Sequence, residues 1–418
     1  MTKQEKLSRA LNHQSGPVPF DIGATSTTGI HVSVVEQLRE YYGLEKRLVK
    51  VQEPMQMLGV LDDDLKEALG VDTVPVWNPN TSMGVKTTGE KEWLAPWGQR
   101  LLVPEHFTTT SDDRGNTFAY VDGDTGCPPC AKMPEGGYFF DVIIRGHDYD
   151  EDHPHVEDNL EEFKEISEDV LDCIRERLKM AKQTPYARIG AFGGCAVGDI
   201  ALVPGGMLKH PKGLRDISEW YMAMVANPDY LHQIFTYSTD IALKNLERIK
   251  QVVGNEVQAV FVCGTDFGTQ NGPFCSRELF RELYMPYYKK INQWIHKNTE
   301  WKTIKHSCGS IFPLIPDLIE SGFDILNPVQ WTARQMDPRT LKKEFGHDIV
   351  FWGGGVDTQK TFPFGTPEEV RRQVLEICEI FSPSGGFVFN TIHNIQALTP
   401  VANVAAMADA VREFNGCR

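Results

Sequence analysis

Short runs of apolar and β-branched residues recur along the chain, and most are separated by segments whose apolar positions repeat every three or four residues. Eight runs stand out: Val18–Ile22, Asp72–Trp77, Ala187–Phe192, Val257–Cys263, Lys302–Ser307, Phe323–Asn327, Asp348–Gly353 and Gly386–Ile392. Strands that alternate with helices pair in parallel, and eight of them predict an α/β fold of the TIM-type (β/α)8 barrel class. The helix signals are clearest in the second half. Asn227-Pro-Asp-Tyr opens an amphipathic segment to about Val253, with proline in its first turn. Ser276-Arg-Glu-Leu reads as a capping-box-like start for a helix to about Asn298, interrupted near Pro286. Thr366-Pro-Glu-Glu supplies an N-cap, a proline and first-turn acids for a helix to about Ile380, and Thr399-Pro opens the last one.

The pattern breaks once, between the second and third runs. Asn78 to Pro185 is too long for a barrel connection. It carries two Gly/Asp-rich turns, at Asp112–Asn116 and Asp122–Gly126, with alternating residues around them that suit hairpins. An acidic stretch follows, Asp148–Glu168, and a helix is expected from about Leu160 to Lys182. The chain therefore reads as one barrel domain over residues 1–418, with an insertion at about 78–185 near the barrel mouth.

Composition narrows the function classes. With 57 acidic against 42 basic residues the net charge is −15, which disfavours nonspecific attraction to nucleic acid or anionic membrane. No apolar run approaches the roughly 20 residues that span a bilayer, and the N-terminus lacks a signal-peptide apolar region. Nine cysteines, odd in number and scattered, do not form a secreted disulfide framework, so a reducing cytoplasm is the expected compartment.

The ends of the eight runs carry the candidate chemistry, because strand C-termini of a barrel converge on one bowl. Lys302–Ser307 ends in His306-Ser-Cys308-Gly309, and His and Cys two apart on an extended segment face the same side. With His393, past the eighth run, they can form a three-ligand zinc site with an open fourth position. Asp266, Cys263 or water remain open as the fourth ligand. Asp21, Trp77, Gln270, Asn327 and Gln330 sit at other run ends and are candidate bowl-lining contacts, as is Tyr284. Cys127-Pro-Pro-Cys130 lacks a second C-x-x-C and a thioredoxin-like context, so it reads as structural. His153-Pro-His155 reads as solvated loop. No Walker motif, dinucleotide fingerprint or G-x-S-x-G elbow is present.

The chain resembles the uroporphyrinogen decarboxylase superfamily, in particular its corrinoid-dependent methyltransferase branch. The resemblance runs from Pro17-Val-Pro-Phe-Asp21 to the C-terminal helix and is densest in the second half. Gly264-Thr-Asp-Phe-Gly-Thr-Gln270, Tyr284-Met-Pro-Tyr-Tyr288, His306-Ser-Cys-Gly309 and Gly322–Gln330 follow in family order, then Trp352–Asp357 and Asn390–Gln396. The decarboxylases bind polycarboxylate tetrapyrroles through an arginine-rich N-terminal motif, whereas no arginine occurs here from Pro17 through His31. Metal-free decarboxylation is therefore set aside.

The resemblance implies a zinc enzyme with His306 and Cys308 as its first two ligands. The branch places a cysteine at the third position, where the spacing to Thr399-Pro400 puts His393 in this chain. Imidazole in place of a thiolate leaves the ion more Lewis acidic, which suits an oxygen leaving group. The expected reaction moves a methyl group from a small methylated donor, first of all an O-methyl compound, to the Co(I) corrinoid of a partner protein. Asp266 would orient the donor or provide a proton. The corrinoid is placed on a partner because the chain has no Asp-x-His-x-x-Gly motif. The insertion would form part of the docking surface, and the aromatic-rich helices permit a homodimer. Two alternatives stand beside this reading: transfer from a methylcorrinoid to a thiol or folate, and a non-catalytic corrinoid or small-molecule binding protein.

Overall fold

The computed structural model of the protein describes residues 1–146 and 155–416, so His153 lies outside the described residues. Seven strands form one parallel sheet, and their order across the sheet follows their order in the chain. They are Thr73–Trp77, Ala187–Ala191, Ala259–Cys263, Lys302–His306, Ile325–Asn327, Val350–Trp352 and Phe387–Val388. We refer to them as the second to eighth staves of the barrel.

The run expected as the first strand, Val18–Ile22, is a correction in kind. It contributes one parallel bridge, Phe20 to Phe389, because Pro17 and Pro19 have no N–H to give to a ladder. Three bonds nevertheless insert it between the outer strands of the sheet. Asp21 N–H donates to Phe389 O at 2.9 Å and Phe389 N–H to Pro19 O at 2.8 Å, while Asp72 N–H donates to Phe20 O at 2.7 Å. The barrel closes through this short stave.

Pleating sorts the side chains. Ala187, Ile189, Ala259, Ile304, Ile325, Val350, Trp352 and Val388 pack together inside the barrel, with Leu7, Ala10 and Leu11 of the N-terminal helix Lys3–Leu11 plugging its base. Residues of opposite parity, such as Val260, Leu326 and Phe351, meet the surrounding helices in a second core. The two layers leave the C-terminal ends of the staves for polar groups.

Helix boundaries follow the local chemistry. Pro228–Val253 is continuous, and Thr366 with Glu369 makes a complete capping box for Pro367–Phe381. The hydroxyl of Ser276 accepts from Leu279 N–H at 3.2 Å, but Leu279 has no side-chain acceptor to complete the box. The helix pauses at Tyr284, ahead of Pro286, giving Arg277–Leu283 and Met285–Asn298. The helix expected from Leu160 begins instead at Glu168. Upstream, Ile166 N–H and Lys164 O bond to the side chain of Asn245 at 2.8 and 3.1 Å, which holds that backbone out of a helical turn.

Between the second and third staves the chain builds two further sheets. Glu90–Leu94 and Arg100–Pro104 join Val49–Glu53 and Leu58–Gly59, two short strands not anticipated from the sequence. Thr109–Ser111, Thr117–Ala119, Ala131–Met133 and Asp141–Val142 form an antiparallel meander, and the two Gly/Asp-rich turns lie in the first two of its three connections. Tyr138 O accepts the imidazole N–H of His31 at 2.8 Å, and Phe140 N–H donates to Met55 O at 2.7 Å, which ties the meander to the segment after the first stave. Cys127 and Cys130 are buried free thiols in this region. Each hydrogen-bonds a backbone carbonyl, Asp124 O and Ala119 O respectively. Among the described residues no helix is long and apolar enough to cross a membrane.

Candidate metal centre

The fifth stave turns Ile304 and His306 inward and Lys305 outward. Past its end, Cys308 returns to the side of His306. The Cys308 sulfur lies 3.4 Å from His306 Nε2. His393, from the loop after the eighth stave, brings its ring centroid to 5.6 Å from that of His306. One ligand atom from each of the three residues lies within 4.8 Å of the others.

The state of His306 follows from its neighbour. Asn327 Nδ2 donates to Trp352 O at 2.9 Å, so the amide oxygen must face His306. That oxygen accepts from His306 Nδ1 at 2.7 Å, which places the proton on Nδ1 and the lone pair of Nε2 toward Cys308. Burial pushes the His306 pKa down, and burial with the adjacent His306 takes His393 to about 4. Both rings are therefore neutral at physiological pH, as metal ligation requires. Burial, reinforced by Asp266, holds the Cys308 thiol well above its ordinary range. Such a thiol becomes a ligand when a cation replaces its proton.

Two glycines set the approach of the loops. A Cβ on Gly309, at φ +86°, would stand 2.4 Å from the backbone of Gly268, and one on Gly268 would stand 2.6 Å from Cys308 O. This close backbone contact brings Asp266 Oδ1 to 2.5 Å from Cys308 N and 3.8 Å from His306 Nε2. Asp199 holds the same loop by accepting Gly264 N–H at 2.9 Å. Lys305, fully buried, donates to Thr265 O and His306 O at 2.7 Å each and lies over the Phe267 ring at 5.0 Å.

The remaining candidates divide. Trp77 shares the inward pleat with Thr73, and its buried indole N–H meets no acceptor among the described residues. Gln270 is exposed on the loop after the fourth stave. Asn327 and Gln330 are buried supports rather than open contacts, for Gln330 Oε1 accepts Gly309 N–H at 2.7 Å. Asp21 is also a correction. It is fully buried and satisfied by Thr73, Trp352 and Ala24, so it joins staves instead of lining the bowl. Tyr284 is buried among Phe235, Phe267 and Phe280, with its hydroxyl 3.7 Å from Met224 sulfur. It packs behind the Asp266 loop. Cys263 leaves the ligand set because a register shift between Phe261 and Cys263 turns it to the outer core. Its sulfur there meets Thr265 Oγ1 at 3.2 Å. Sequence reasoning gave no role to Asn390, whose Oδ1 is buried without a partner among the described residues, or to Asn394. Both lie in the polar run that follows the eighth stave, and that polarity was the available signal.

The donor set suits zinc. A tetrahedral ion with Zn–N near 2.0 Å and Zn–S near 2.3 Å separates its ligands by roughly 3.3–3.7 Å. The sulfur–nitrogen distance of 3.4 Å falls in that interval.

A parallel barrel with a His/Cys/His cluster at the C-terminal ends of its strands defines a class: barrel proteins that place polar chemistry in one bowl. The chain belongs to the uroporphyrinogen decarboxylase (URO-D) family, whose model matches residues 153–414. Uroporphyrinogen decarboxylase of Anaeromyxobacter dehalogenans is 26% identical over 246 residues, covering 59% of this chain and 63% of that protein. The enzyme of Psychromonas ingrahamii is 24% identical over 193 residues, 45% of this chain and 49% of its own length. The chain thus spans about half to three fifths of these relatives. In structure it is similar to a methyltransferase from Methanosarcina mazei, with a TM-score of 0.57, 16% identity and 99% of each chain covered. At that identity the likeness establishes the barrel fold.

Proposed function

We propose that this chain is a zinc-dependent methyltransferase that moves a methyl group from a small O-methyl donor to the Co(I) corrinoid of a partner protein. The convergence of His306, Cys308 and His393 on one point carries the reading. The structural likeness to a methyltransferase supports it. So does the absence of arginine from Pro17 through His31, which leaves no clamp there for a polycarboxylate tetrapyrrole. Zinc, when bound, supplies Lewis acidity toward a leaving oxygen.

The chain's own groups do the rest. His306 enters with its tautomer fixed by Asn327. Asp266, its side chain 34% exposed and its Oδ1 held by Cys308 N–H, is a carboxylate at the bowl and orients the methyl donor. The free indole N–H of Trp77 is a donor for the substrate. Phe261, 6.5 Å from the His306 ring, is an apolar wall.

The first test is the metal content of the purified protein, followed by methylation of reduced cobalamin with a panel of methyl ethers. About one zinc per chain and ether-dependent formation of methylcobalamin are expected. A protein that takes up no zinc after supplementation would end this mechanism. Methyl transfer only from methylcobalamin to a thiol would reverse its direction. Asn327→Leu, which removes the acceptor for His306 Nδ1–H, is expected to weaken zinc binding roughly 10- to 100-fold in a chelator competition.

A further inference from the structure

The segment from Gly23 to His31 leaves the first stave as a loop of small polar residues, and both histidines of the metal centre are tied back to it. On the His306 side, Thr27 Oγ1 donates at 3.0 Å to Asn327 Oδ1, the same oxygen that accepts from His306 Nδ1. Two donors thus fill both lone pairs of that oxygen, and Trp352 O holds the amide nitrogen. On the His393 side, the neighbouring Asn394 is fully buried. Its Oδ1 accepts Gly29 N–H at 2.6 Å, and its Nδ2 donates to Ser26 O at 2.9 Å and to Gln56 Oε1 at 2.8 Å. The backbone adds Ile395 N–H to Gly29 O at 2.9 Å and His31 N–H to Ile395 O at 2.8 Å.

The loop also holds its own shape. Gly23 N–H donates to Thr28 O at 2.7 Å, Thr25 N–H donates to Thr28 Oγ1 at 3.1 Å, and the Thr25 and Thr27 hydroxyls lie 3.0 Å apart. This matters because the fifth and eighth staves are not neighbours in the sheet; the sixth and seventh lie between them. The separation of the two rings would otherwise depend on two intervening strands.

We propose that Gly23–His31 is a positioning bracket for the metal centre: Thr27 sets His306 through Asn327, and the Ser26–Gly29 backbone sets His393 through Asn394. The inference rests on the zinc reading above. None of its residues belongs to the His306/Cys308/His393 cluster, and it acts by fixing the distance and orientation of two ligands.

Thr27→Val removes the hydroxyl and keeps the side-chain shape, and Thr27→Ser returns the hydroxyl. Zinc affinity is read by competition with a chromophoric chelator, and ligand geometry by the visible absorption of the cobalt(II)-loaded protein. Thr27→Val is expected to weaken zinc binding roughly tenfold, the low end for groups outside the ligand set. It should also alter the cobalt spectrum and leave the melting temperature of the metal-free protein unchanged. Thr27→Ser should restore affinity and spectrum. Asn394→Leu should move both readouts in the same direction through His393, and Thr27→Val alone decides the matter where Asn394→Leu does not fold. Wild-type affinity and spectrum in Thr27→Val would overturn the bracket while the zinc reading stands. Failure of the wild-type protein to bind zinc would remove both.

Discussion

Cys308→Ala is expected to fold as the wild type does, and to lose both its zinc and its methyl transfer. The side chain lies beyond the last residue of the fifth stave, Lys302–His306, and is partly open, so its removal leaves the barrel core intact. The Cys308 N–H that holds Asp266 belongs to the backbone and survives the change. What disappears is the thiolate, the only anionic donor of the His306/Cys308/His393 set. The loss of zinc affinity should exceed the roughly 100-fold reached by changes outside the ligand set. His393→Ala should fail in the same way, since two remaining donors do not hold zinc in a tetrahedral site. Elemental analysis, a melting curve and cobalamin methylation on the same preparations separate loss of metal from loss of fold. A Cys308→Ala protein with full zinc and full activity would sink the proposed centre.

Arg215→Met is expected to destabilise the whole chain by about 3–5 kcal/mol, the range for breaking one side of a buried ion pair. Arg215 is fully buried and meets Glu162 Oε1 at 2.8 Å and Oε2 at 3.3 Å. It also donates to Lys212 O, Asp158 O and Val203 O, so one guanidinium joins the segment before the helix Glu168–Lys182 to the loops after the third stave. Methionine fills similar space and leaves Glu162 charged and unpaired. The fall should appear as a lower urea midpoint. The double variant Arg215→Met, Glu162→Leu should recover much of it, because both charges are then absent. A single variant as stable as the wild type would show that Glu162 finds another partner or takes up a proton.

Much of the barrel is legible in the sequence, and the failures have local causes. The second to eighth staves fall inside the expected apolar runs, because a strand covered by helices is buried along most of its length. The first stave is thinner than expected, since its two prolines remove the donors of a ladder. Val49–Glu53 escaped notice although Val49 and Val51 alternate with polar residues, because its partner, Arg100–Pro104, lies in the excursion. In the site, His-x-Cys spacing on a strand is geometry that a sequence can express. The outward turn of Cys263 is not, since it depends on a bulge between neighbouring staves. Nor are the roles of Asn327 and Gln330. Each stands at a strand end as a substrate contact would, and only the presence of His306 Nδ1 or Gly309 N within reach makes it a support.

The closure of the barrel has a consequence for how the molecule is made. Asp21 and Asn390, joined through Asp21 O, stand 369 residues apart in the chain. At roughly 5–20 residues per second, the ribosome takes on the order of 20–70 s to deliver the second after the first. Through that interval the nascent chain exposes an unfilled gap beside the second stave, and the Gly23–His31 loop has nothing to hold. A translation product ending before residue 387 would leave the seventh stave, Val350–Trp352, as an open, association-prone sheet edge and would lack His393, so the proposed metal centre would gain its third ligand only after the last stave is made.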